Sequence, residues 1–413
     1  MKVAKQYCIS KNVVMDAWRK VKSNSGSAGI DGKSVEDFEK DLKNNLYKIW
    51  NRMSSGTYFP PPVLTVSIPK KSGGVRKLGI PTVSDRVAQM VAKIHFEPLV
   101  EPSFHEDSYG YRPGKSALDA VAVTRQRCWK YDWVLEFDVR GMFDNIDHEL
   151  LMKAVRKHTN CKWILLYIDR WLKASSQDKD GNITPRTCGV PQGGVISPVL
   201  ANLFMHYVFD MWMTVQHPDL PFCRYADDGL VHCRNKSEAE KLKAELGQRF
   251  TECKLELHPT KTKIVNCKPG GKTAQGVVKK FDFLGYQFRS RLVRANSGSM
   301  FVGFTPAISP DAVNSIRKTI RSWKLSRRTH FDIKDLAQQL NPIIRGWIQY
   351  YGKFNRSELY KVLKYLDMKL LGWVKRKYKK HGSYTKRPKD WLGKVSSILP
   401  NLFAHWRFVK FSG

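Results

Sequence analysis

Two adjacent aspartates, Asp227 and Asp228, interrupt the apolar segment CRYADDGLVHC at residues 223–233. The segment has the pattern of a strand, a two-residue turn and a second strand. A third aspartate, Asp138, ends the apolar part of WVLEFDVRGMF at residues 133–143. Carboxylate oxygens are the ligands that hard cations such as Mg²⁺ prefer. Three carboxylates at strand ends could therefore hold two Mg²⁺ ions, which would offset the repulsion between the neighbouring charges.

Two metal ions on either side of a phosphate can activate an attacking 3′-oxygen and stabilise pyrophosphate as it leaves. The aspartates are thus suited to nucleotide transfer. A pair of aspartates in a turn is weak evidence by itself, because a polar turn between two strands explains it equally well. The other motifs of the chain have to distinguish these interpretations.

The chain is strongly basic. Its 413 residues include 71 Lys and Arg against 37 Asp and Glu, a formal net charge of +34. Such a charge repels itself unless a polyanion binds, and nucleic acid is the usual polyanion. A structural RNA-binding protein would also be basic, so the charge predicts a partner and not an activity.

Membrane spans, secretion signals and zinc modules are not predicted. There is no apolar run of 18 residues, and the N-terminal segment lacks the apolar core of a signal peptide. The eight cysteines include no C-x-x-C pair, which argues against a zinc module and a disulfide framework. We expect a cytoplasmic protein with reduced cysteines and no membrane partner.

The elements around the aspartates follow from hydrophobic periodicity and turn residues. Residues 1–60 are expected to be mostly helical with a Gly-rich break at 24–34, and residues 62–82 are expected to form a hairpin. Further helices are predicted around 84–100, 115–130, 197–213 and 238–253. The helix at 197–213 is expected to have Ser197 as N-cap and Pro198 in its first position.

The C-terminal part differs in character from the rest. Residues 305–413 contain 24 Lys and Arg against 6 Asp and Glu. A helix starting at Ser309-Pro310 and a second helix carry apolar residues at helical spacing. These residues are Val313, Ile316, Ile320 and Trp323 in the first helix, and Leu359, Val362, Leu363, Leu366, Leu370 and Trp373 in the second. Lys361, Lys364 and Lys369 lie between them, which predicts a helical domain with an apolar core and a basic surface.

The motifs together resemble those of group II intron-encoded reverse transcriptases, in the same order and over nearly the whole chain. YADD (225–228) is similar to the family's Y-x-D-D box, and FDVRGMFDNIDH (137–148) is similar to the block of its first catalytic aspartate. GVPQGGVISPVLANLFMH (189–206) is similar to the P-Q-G block and the helix that follows. The remaining fingers and palm blocks resemble the segments at 68–89, 108–121, 255–263 and 283–288. Residues 26–32 resemble the family's extra N-terminal block. Residues 304–323 and 341–354 resemble its maturase, or X, thumb domain.

The resemblance implies roles for the matching residues. Asp138, Asp227 and Asp228 would be catalytic and, with Val139, would bind two Mg²⁺ ions, for which Mn²⁺ can substitute. The implied dNTP-binding residues are Lys70, Arg76, Phe143, Gln192 and Lys261. The ring of Phe143 would lie beneath the sugar, clash with a 2′-OH and favour dNTPs over NTPs. Phe283, Leu284, Gly285 and Tyr286 would position the primer 3′ end. Asp144 and Asp147 are instead expected to be turn and helix-capping carboxylates.

The implied fold class is α+β, a right-hand polymerase with fingers and an antiparallel palm sheet, followed by an α-helical thumb (maturase X) domain. The expected domains are an N-terminal extension with the extra reverse-transcriptase block at 1–60, fingers and palm at 61–300, the thumb at 301–374, and a basic, DNA-binding-like tail at 375–413. The nucleic-acid-binding residues expected in the tail are Lys375, Arg376, Lys377, Lys379 and Lys380. Many relatives carry a C-terminal H-N-H endonuclease with Cys pairs; that pattern is not found here, so cleavage of a second target strand in cis is not expected.

The implied function is RNA-directed DNA synthesis by a bacterial intron-encoded protein. The expected partners are its intron RNA, an RNA template with a DNA primer, a DNA target and dNTPs, in splicing and in retrohoming by target-primed reverse transcription. RNA binding would rest mostly on backbone charge and shape. A domesticated relative in phage defence or CRISPR adaptation is the alternative. An RNA chaperone with a degenerate polymerase is disfavoured because the aspartates are intact, and an RNA-dependent RNA polymerase is disfavoured by Phe143 and the maturase-like thumb.

Overall fold

The computed structural model describes residues 5–69, 74–268, 277–295, 297–378 and 386–408. The chain divides into two compact units. The first contains Met1–Ser116 and Leu135–Lys263, and the second contains Ala117–Val134 and Ile264–Gly413. Within the described ranges, none of the helices combines the length and the apolar character needed to cross a membrane.

The described elements are mixed helices and strands. The helices are α1 Lys11–Ser23, α2 Val35–Lys40, α3 Leu42–Ser54, α4 Val83–Val100, α5 Ala117–Arg127, α6 Met142–Asn145, α7 His148–His158, α8 Lys162–Lys173, α9 Ser197–Met205, α10 Met211–Gln216, α11 Lys236–Glu252, α12 Pro310–Ser322, α13 Ile333–Tyr351, α14 Arg356–Lys377 and α15 Lys386–Ile398. The strands are β1 Val63–Pro69, β2 Val75–Ile80, β3 Trp133–Asp138, β4 Ser176–Gln177, β5 Ile183–Thr184, β6 Phe222–Tyr225, β7 Asp228–Cys233, β8 Lys263–Asn266, β9 Lys280–Phe283, β10 Tyr286–Arg294 and β11 Met300–Ile308. One π turn, His206–Asp210, joins α9 to α10. The predicted helices, hairpin and strands are therefore confirmed in type and order.

A four-stranded sheet in the first unit carries the predicted hairpin. Its strand order is β2-β1-β4-β5. β1 and β2 are antiparallel, in register from Leu64 opposite Ile80 to Pro69 opposite Val75. β1 pairs in parallel with β4, which pairs antiparallel with β5. Exposure in the hairpin increases from Val63 toward Pro69, so the side chains at the end formed by Pro69 and Val75 face solvent.

Strands β6, β7 and β3 lie side by side in that order and carry the aspartates. β6 and β7 are antiparallel. Aromatic rings fill the core beneath them, with the ring of Phe137 4.8 Å from Phe209 and 5.9 Å from Phe250. A Cβ at Gly229 would stand 2.1 Å from the Phe137 ring. β7 can therefore pass this close to β3 only with a glycine at position 229.

Side-chain caps begin several helices. Asp147 accepts a backbone N–H in the first turn of α7, which confirms its predicted capping role. The predicted cap at Ser197 is wrong, because Ser197 is already helical and Ile196 holds the cap position without a side-chain bond. The Oε1 atom of Gln89 accepts the N–H groups of Val195 and Ile196 at 2.7 and 3.3 Å. A side chain from another helix thus satisfies donors that a helix start leaves free.

The second unit combines a three-stranded sheet with the C-terminal helices. The sheet order is β11-β10-β9, and β10 and β11 pair along their whole length. α12 begins at Ser309-Pro310 as predicted, and Ser309 caps it by accepting the N–H of Ala312, a bond typically worth about 1 kcal/mol. The residues predicted for the apolar faces are buried, apart from the partly buried Val313: Ile316, Ile320, Trp323, Leu359, Val362, Leu363, Leu366, Leu370 and Trp373. Lys361, Lys364 and Lys369 are exposed, so the expected apolar core and basic surface are both present.

Candidate active site

The turn between β6 and β7 presents the paired aspartates. Tyr225 pairs with Asp228, which confirms the predicted two-residue turn; its central residues are Ala226 and Asp227, and Asp228 is the first residue of β7. Ala226 has a φ of 57°, in the left-handed region that glycine usually occupies in such turns. This conformation costs a non-glycine residue about 1–2 kcal/mol. Neighbouring groups must therefore hold the turn in place.

Asp138 lies at the end of the neighbouring strand and is buried. The backbone N–H of Val139 donates to the carbonyl oxygen of Asp227 at 3.4 Å. The carbonyl of Asp138 accepts the N–H of His258 at 2.8 Å. These bonds fix the backbone of the third aspartate beside the turn, although the two segments are far apart in the sequence.

The three carboxylates influence one another electrostatically. Asp228 is exposed at the surface as a residue, but its carboxylate is partly desolvated by the surrounding atoms; this burial, and then the charges of Asp227 and Asp138, raise its pKa to about 7. Burial and the charge of Asp138 also raise the pKa of Asp227. Arg76 and Lys261 act in the opposite direction on both. The aspartates therefore form one cluster of mutually repelling charges.

The carboxylate oxygens of this cluster are suitable ligands for a divalent metal ion, but their side chains are not arranged as a complete metal site. Among the described residues, no group of three or more His, Cys, Asp or Glu side chains is arranged to hold a metal ion. The ammonium of Lys261 donates to the Oδ2 of Asp138. Burial, and then the charges of the neighbouring carboxylates, raise the pKa values of Asp227 and Asp228, and a cation between them would offset the repulsive part. A metal ion would have to share Asp138 with Lys261.

Backbone bonds join the segments predicted to bind the nucleotide. The carbonyl of Phe143, which is half-buried, accepts the N–H of Val190 at 2.6 Å. The carbonyl of Gln192 accepts the N–H of Gly79 at 2.8 Å, near the end of β2. Arg76 is exposed on the same strand. The residues implied for the nucleotide thus lie on connected segments, whereas Lys70 lies outside the described residues.

A cavity of 220 Å³ adjoins this region without including the aspartates. Its lining contains Gln192, Lys77, Arg186 and Asp144. The cavity is therefore separate from the aspartate cluster, because no cluster carboxylate lines it.

The FLGY segment forms a tight turn in the second unit. Leu284 and Gly285 have φ values of 51° and 76° between β9 and β10. The hydroxyl of Tyr350 donates to the carbonyl of Leu284 at 2.7 Å. A Cβ at Gly285 would stand 3.1 Å from the hydroxyl of Tyr351. Packing against α13 therefore fixes the turn between Phe283 and Tyr286.

The basic residues at the end of α14 have different environments. Lys375 and Arg376 are exposed. The ammonium of Lys377 donates to the carbonyls of Thr329 and Phe331 at 3.0 and 2.6 Å. Lys377 thus has a bonding role within the second unit. Lys379 and Lys380 lie outside the described residues.

Two residues that the sequence did not single out lie directly beneath the turn that carries Asp227. Arg224, in β6, and Asp210, in the π turn, are both fully buried and form an ion pair. An available signal was a charged residue inside each of two apolar segments, CRYADD and HYVFDMW. Tyr111 is a further residue close to the cluster that the sequence did not single out. Burial and then the charge of Asp227 raise the pKa of its hydroxyl.

Two known protein families match successive parts of the chain. The model of the family "Reverse transcriptase (RNA-dependent DNA polymerase)" matches residues 68–288, and that of "Group II intron, maturase-specific domain" matches residues 313–391. The chain is 31% identical over 307 residues to protein YkfC of Escherichia coli, covering 65% of this chain and 76% of YkfC. It is 32% identical over 204 residues to the group II intron-encoded protein LtrA of Lactococcus lactis, covering 49% of this chain and 33% of LtrA.

A third relative comes from a eukaryote. The putative COX1/OXI3 intron 1 protein of Saccharomyces cerevisiae is 29% identical over 207 residues, covering 50% of this chain and 25% of the yeast protein. The matched region thus spans a third or less of LtrA and of this relative. The reverse transcriptase match covers more than half of the chain, and the maturase-specific match follows it. The chain therefore belongs to the reverse transcriptase family, in the group that carries a group II intron maturase domain.

Proposed function

We propose that the chain is an RNA-directed DNA polymerase that also binds a group II intron RNA to assist its splicing. The main support for the polymerase activity is the cluster of Asp138, Asp227 and Asp228 in a chain of the reverse transcriptase family. Retrohoming by target-primed reverse transcription on a DNA target is the wider role that this activity would serve.

In this proposal, Asp138, Asp227 and Asp228 hold two Mg²⁺ ions, with the carbonyl of Val139 as a further ligand. When bound, these ions supply Lewis-acid stabilisation of the attacking 3′-oxygen and of the leaving pyrophosphate. The aspartates orient the site, and a divalent cation between them would offset their mutual repulsion. Lys261 neutralises Asp138 until nucleotide and metal arrive. Mn²⁺ could substitute, because it shares the preference for oxygen ligands.

The dNTP would bind between the β1–β2 hairpin and the segment that contains Gln192. Arg76 is exposed and close enough to influence Asp227 and Asp228, so its guanidinium can reach a triphosphate beside them. Lys70 is proposed for the same group. Phe143 would stack beneath the sugar and exclude a 2′-OH.

The proposed domain arrangement is that of a right-hand polymerase. Residues 61–300 would form fingers and palm after the N-terminal extension at 1–60. Residues 301–374 would form the α-helical thumb, or maturase domain, and residues 375–413 a basic nucleic-acid-binding tail. The FLGY turn, held by the tyrosines of α13, would position the primer end. These boundaries differ from the two compact units, because a segment of the second unit, Ala117–Val134, precedes the aspartates in the chain.

Intron RNA would bind the basic surface of the helical region. Lys361, Lys364, Lys369, Lys375 and Arg376 are exposed there, and the maturase-specific match covers these helices. Exposed lysines bind phosphate without reading the base sequence. Sequencing of the RNA that co-purifies with the protein tests this part of the proposal; absence of any group II intron RNA would contradict it.

Primer extension on an RNA template tests the polymerase activity. Asp227→Asn should abolish extension while RNA affinity stays unchanged, because the substitution removes a metal ligand and no phosphate contact. Asp219→Asn is the matched control, since this exposed aspartate lies in the loop before β6, outside the cluster. Extension by Asp227→Asn above background would contradict the assignment.

A further inference from the structure

The guanidinium of Arg224 makes four hydrogen bonds to three residues beneath the turn of the aspartates. Its Nε and Nη2 donate to the two oxygens of Asp210 at 2.7 and 2.6 Å. Its Nη1 donates to the Oδ1 of Asn202 at 3.2 Å and to the carbonyl of Ala226 at 3.1 Å. Arg224 and Asp210 are 0% exposed. A charged pair this deeply buried is costly unless its geometry and partners are complete, so its position under the turn calls for a reason.

The π turn brings both partners of Arg224 to one side of their helix. In a continuous α-helix, residues eight positions apart, such as Asn202 and Asp210, differ by about 80° around the axis. A single π turn takes up one extra residue, which brings this difference to about 20°. The π turn spans His206–Asp210, so it begins after Asn202 and ends at Asp210. Within this turn, the backbone carbonyls of Tyr207 and Val208 accept hydrogen bonds from the guanidinium of Arg249 at 3.1 Å each.

The same network restrains the turn from a second side. The Nδ2 of Asn202 donates to the carbonyl of Gly110 at 2.7 Å. A Cβ at Gly110 would stand 2.5 Å from the backbone nitrogen of Ala226, so this segment lies directly against the turn. Asn202 therefore connects Arg224, which holds the carbonyl of Ala226, with the segment that covers its nitrogen. The left-handed conformation of Ala226 is held from both sides.

We propose that Arg224 is a positioning residue, which, anchored by Asp210 and Asn202 across the π turn, fixes the Ala226 carbonyl and so sets the Asp227–Asp228 carboxylates before metal binds. The inference rests on the proposed function for its kinetic consequence. Its structural content, a preset carboxylate pair, stands on the contacts of the first unit alone. A preorganised ligand pair binds a metal without first having to order its own turn.

The ionised state of Asp210 supports a fixed orientation of the Arg224 guanidinium. Burial alone would raise the pKa of Asp210, yet the adjacent guanidinium outweighs it and holds that pKa below its usual range. Asp210 therefore stays ionised. The bidentate contact then fixes the plane of the guanidinium, and Nη1 is left to face the Ala226 carbonyl. Arg224→Lys would keep the positive charge but would lose the bidentate contact with Asp210.

Arg224→Lys tests the inference with two readouts. Binding of Mn²⁺ alone, measured by electron paramagnetic resonance without nucleotide, should weaken by about 10-fold or more, as for other outer residues that orient metal ligands. In primer extension, kcat should fall by on the order of 100-fold, as expected for misplaced ligands, while KM for dNTP stays unchanged. Asp210→Asn should act alike, and the double variant should be no worse than either single variant.

Arg170→Lys is the matched control. Arg170 also donates to two backbone carbonyls, those of Gly56 and Tyr58 at 2.8 and 2.6 Å, but does not contact the turn. It should lower the melting temperature without changing Mn²⁺ affinity or kcat. A folded Arg224→Lys variant with wild-type Mn²⁺ affinity and kcat would overturn the inference.

A milder variant covers the case in which Arg224→Lys does not fold. Asn202→Ser removes the link between Arg224 and Gly110, and it should weaken Mn²⁺ binding; wild-type affinity in this variant would equally overturn the inference. A wild-type protein that extends no primer would refute the proposed function. The Mn²⁺ measurements would still decide on the positioning role.

Discussion

Lys261 and Asp138 show how one contact changes the interpretation of a residue. The family resemblance implies that Lys261 binds the dNTP, yet its ammonium lies on the carboxylate that the metal ions would use. Both statements hold if Lys261 neutralises Asp138 in the free protein and moves to the triphosphate when substrate binds. Metal and lysine then compete for one carboxylate.

Lys261→Met should separate these two roles. Because a competing cation is removed, Mn²⁺ alone should bind more tightly to the free protein. Loss of a charge-assisted hydrogen bond to the triphosphate should raise KM for dNTP by about 10-fold or more. Lys254→Met is the control, since Lys254 pairs with Asp147 at 2.6 Å, away from the cluster. Unchanged Mn²⁺ affinity and unchanged KM together would exclude both roles.

Phe143 is half-buried, and its backbone is tied to the loop that contains Gln192. If its ring excludes a 2′-OH, Phe143→Ala should raise the NTP/dNTP ratio of kcat/KM on the order of 10- to 100-fold, the usual range for one group of this size. Phe143→Tyr keeps the ring and should keep the selectivity. Equal ratios in Phe143→Ala and wild type would mean that the ring only packs.

At the scale of elements, α14 combines a buried apolar face with a basic outer face that contains a glycine. Gly372 has neighbours on its face at Met368, Lys369, Lys375 and Arg376, all of them exposed. A Cβ at Gly372 would meet no atom within 4 Å. Glycine weakens a helix by about 1 kcal/mol relative to alanine, and packing within the protein does not require it here.

Gly372→Ala should therefore stabilise the protein and weaken RNA binding. The stability gain, up to about 1 kcal/mol in chemical unfolding, follows from helix propensity. The affinity loss follows if a phosphate backbone approaches this face closely. Gly346→Ala in α13 is the control, because a Cβ there also meets no atom within 4 Å and no basic residue lies three or four positions away. It should show the same stability gain without the affinity loss; equal affinities for the two variants would argue against close approach at Gly372.

At the scale of the whole molecule, the net charge of +34 should make nucleic-acid binding depend strongly on salt. Replacing Lys375, Arg376, Lys379 and Lys380 by Ala should weaken binding and reduce the slope of log K against log salt by about one unit for each phosphate that the variant no longer binds. Lys377 is kept, because its bonds to the carbonyls of Thr329 and Phe331 stabilise the fold. Single-turnover extension at saturating template should persist, since the aspartate cluster is unchanged.

A charge-matched control separates local binding from net charge. Replacing Lys179, Lys236, Lys241 and Lys243 by Ala removes the same charge from exposed positions in the first unit. Equal slopes in the two variants would mean that only net charge matters. Abolished single-turnover extension in the C-terminal variant would mean that these residues shape the active site.

The sequence by itself determined the element types and predicted the aspartate cluster. The periodicity of 313–323 and 359–373, the cap at Ser309 and the alternation around 62–82 are local patterns, and local patterns persist in the fold. The pairing of Asp138 with Asp227 and Asp228 was also predicted, because each ends an apolar strand. Ser197 was misplaced by one position because a distant side chain, Gln89, and not a local cap, satisfies the helix start.

Only the tertiary structure decided how the cluster is held. The Arg224–Asp210 pair, the π turn, the contact of Lys261 with Asp138 and the bonds of Lys377 join groups far apart in the chain or depend on an irregular helix. Sequence patterns report periodicity and propensity, whereas a buried ion pair is set by which surfaces meet and exclude water. Residue types could thus identify the carboxylates, but the support beneath them became visible only once distant segments were packed together.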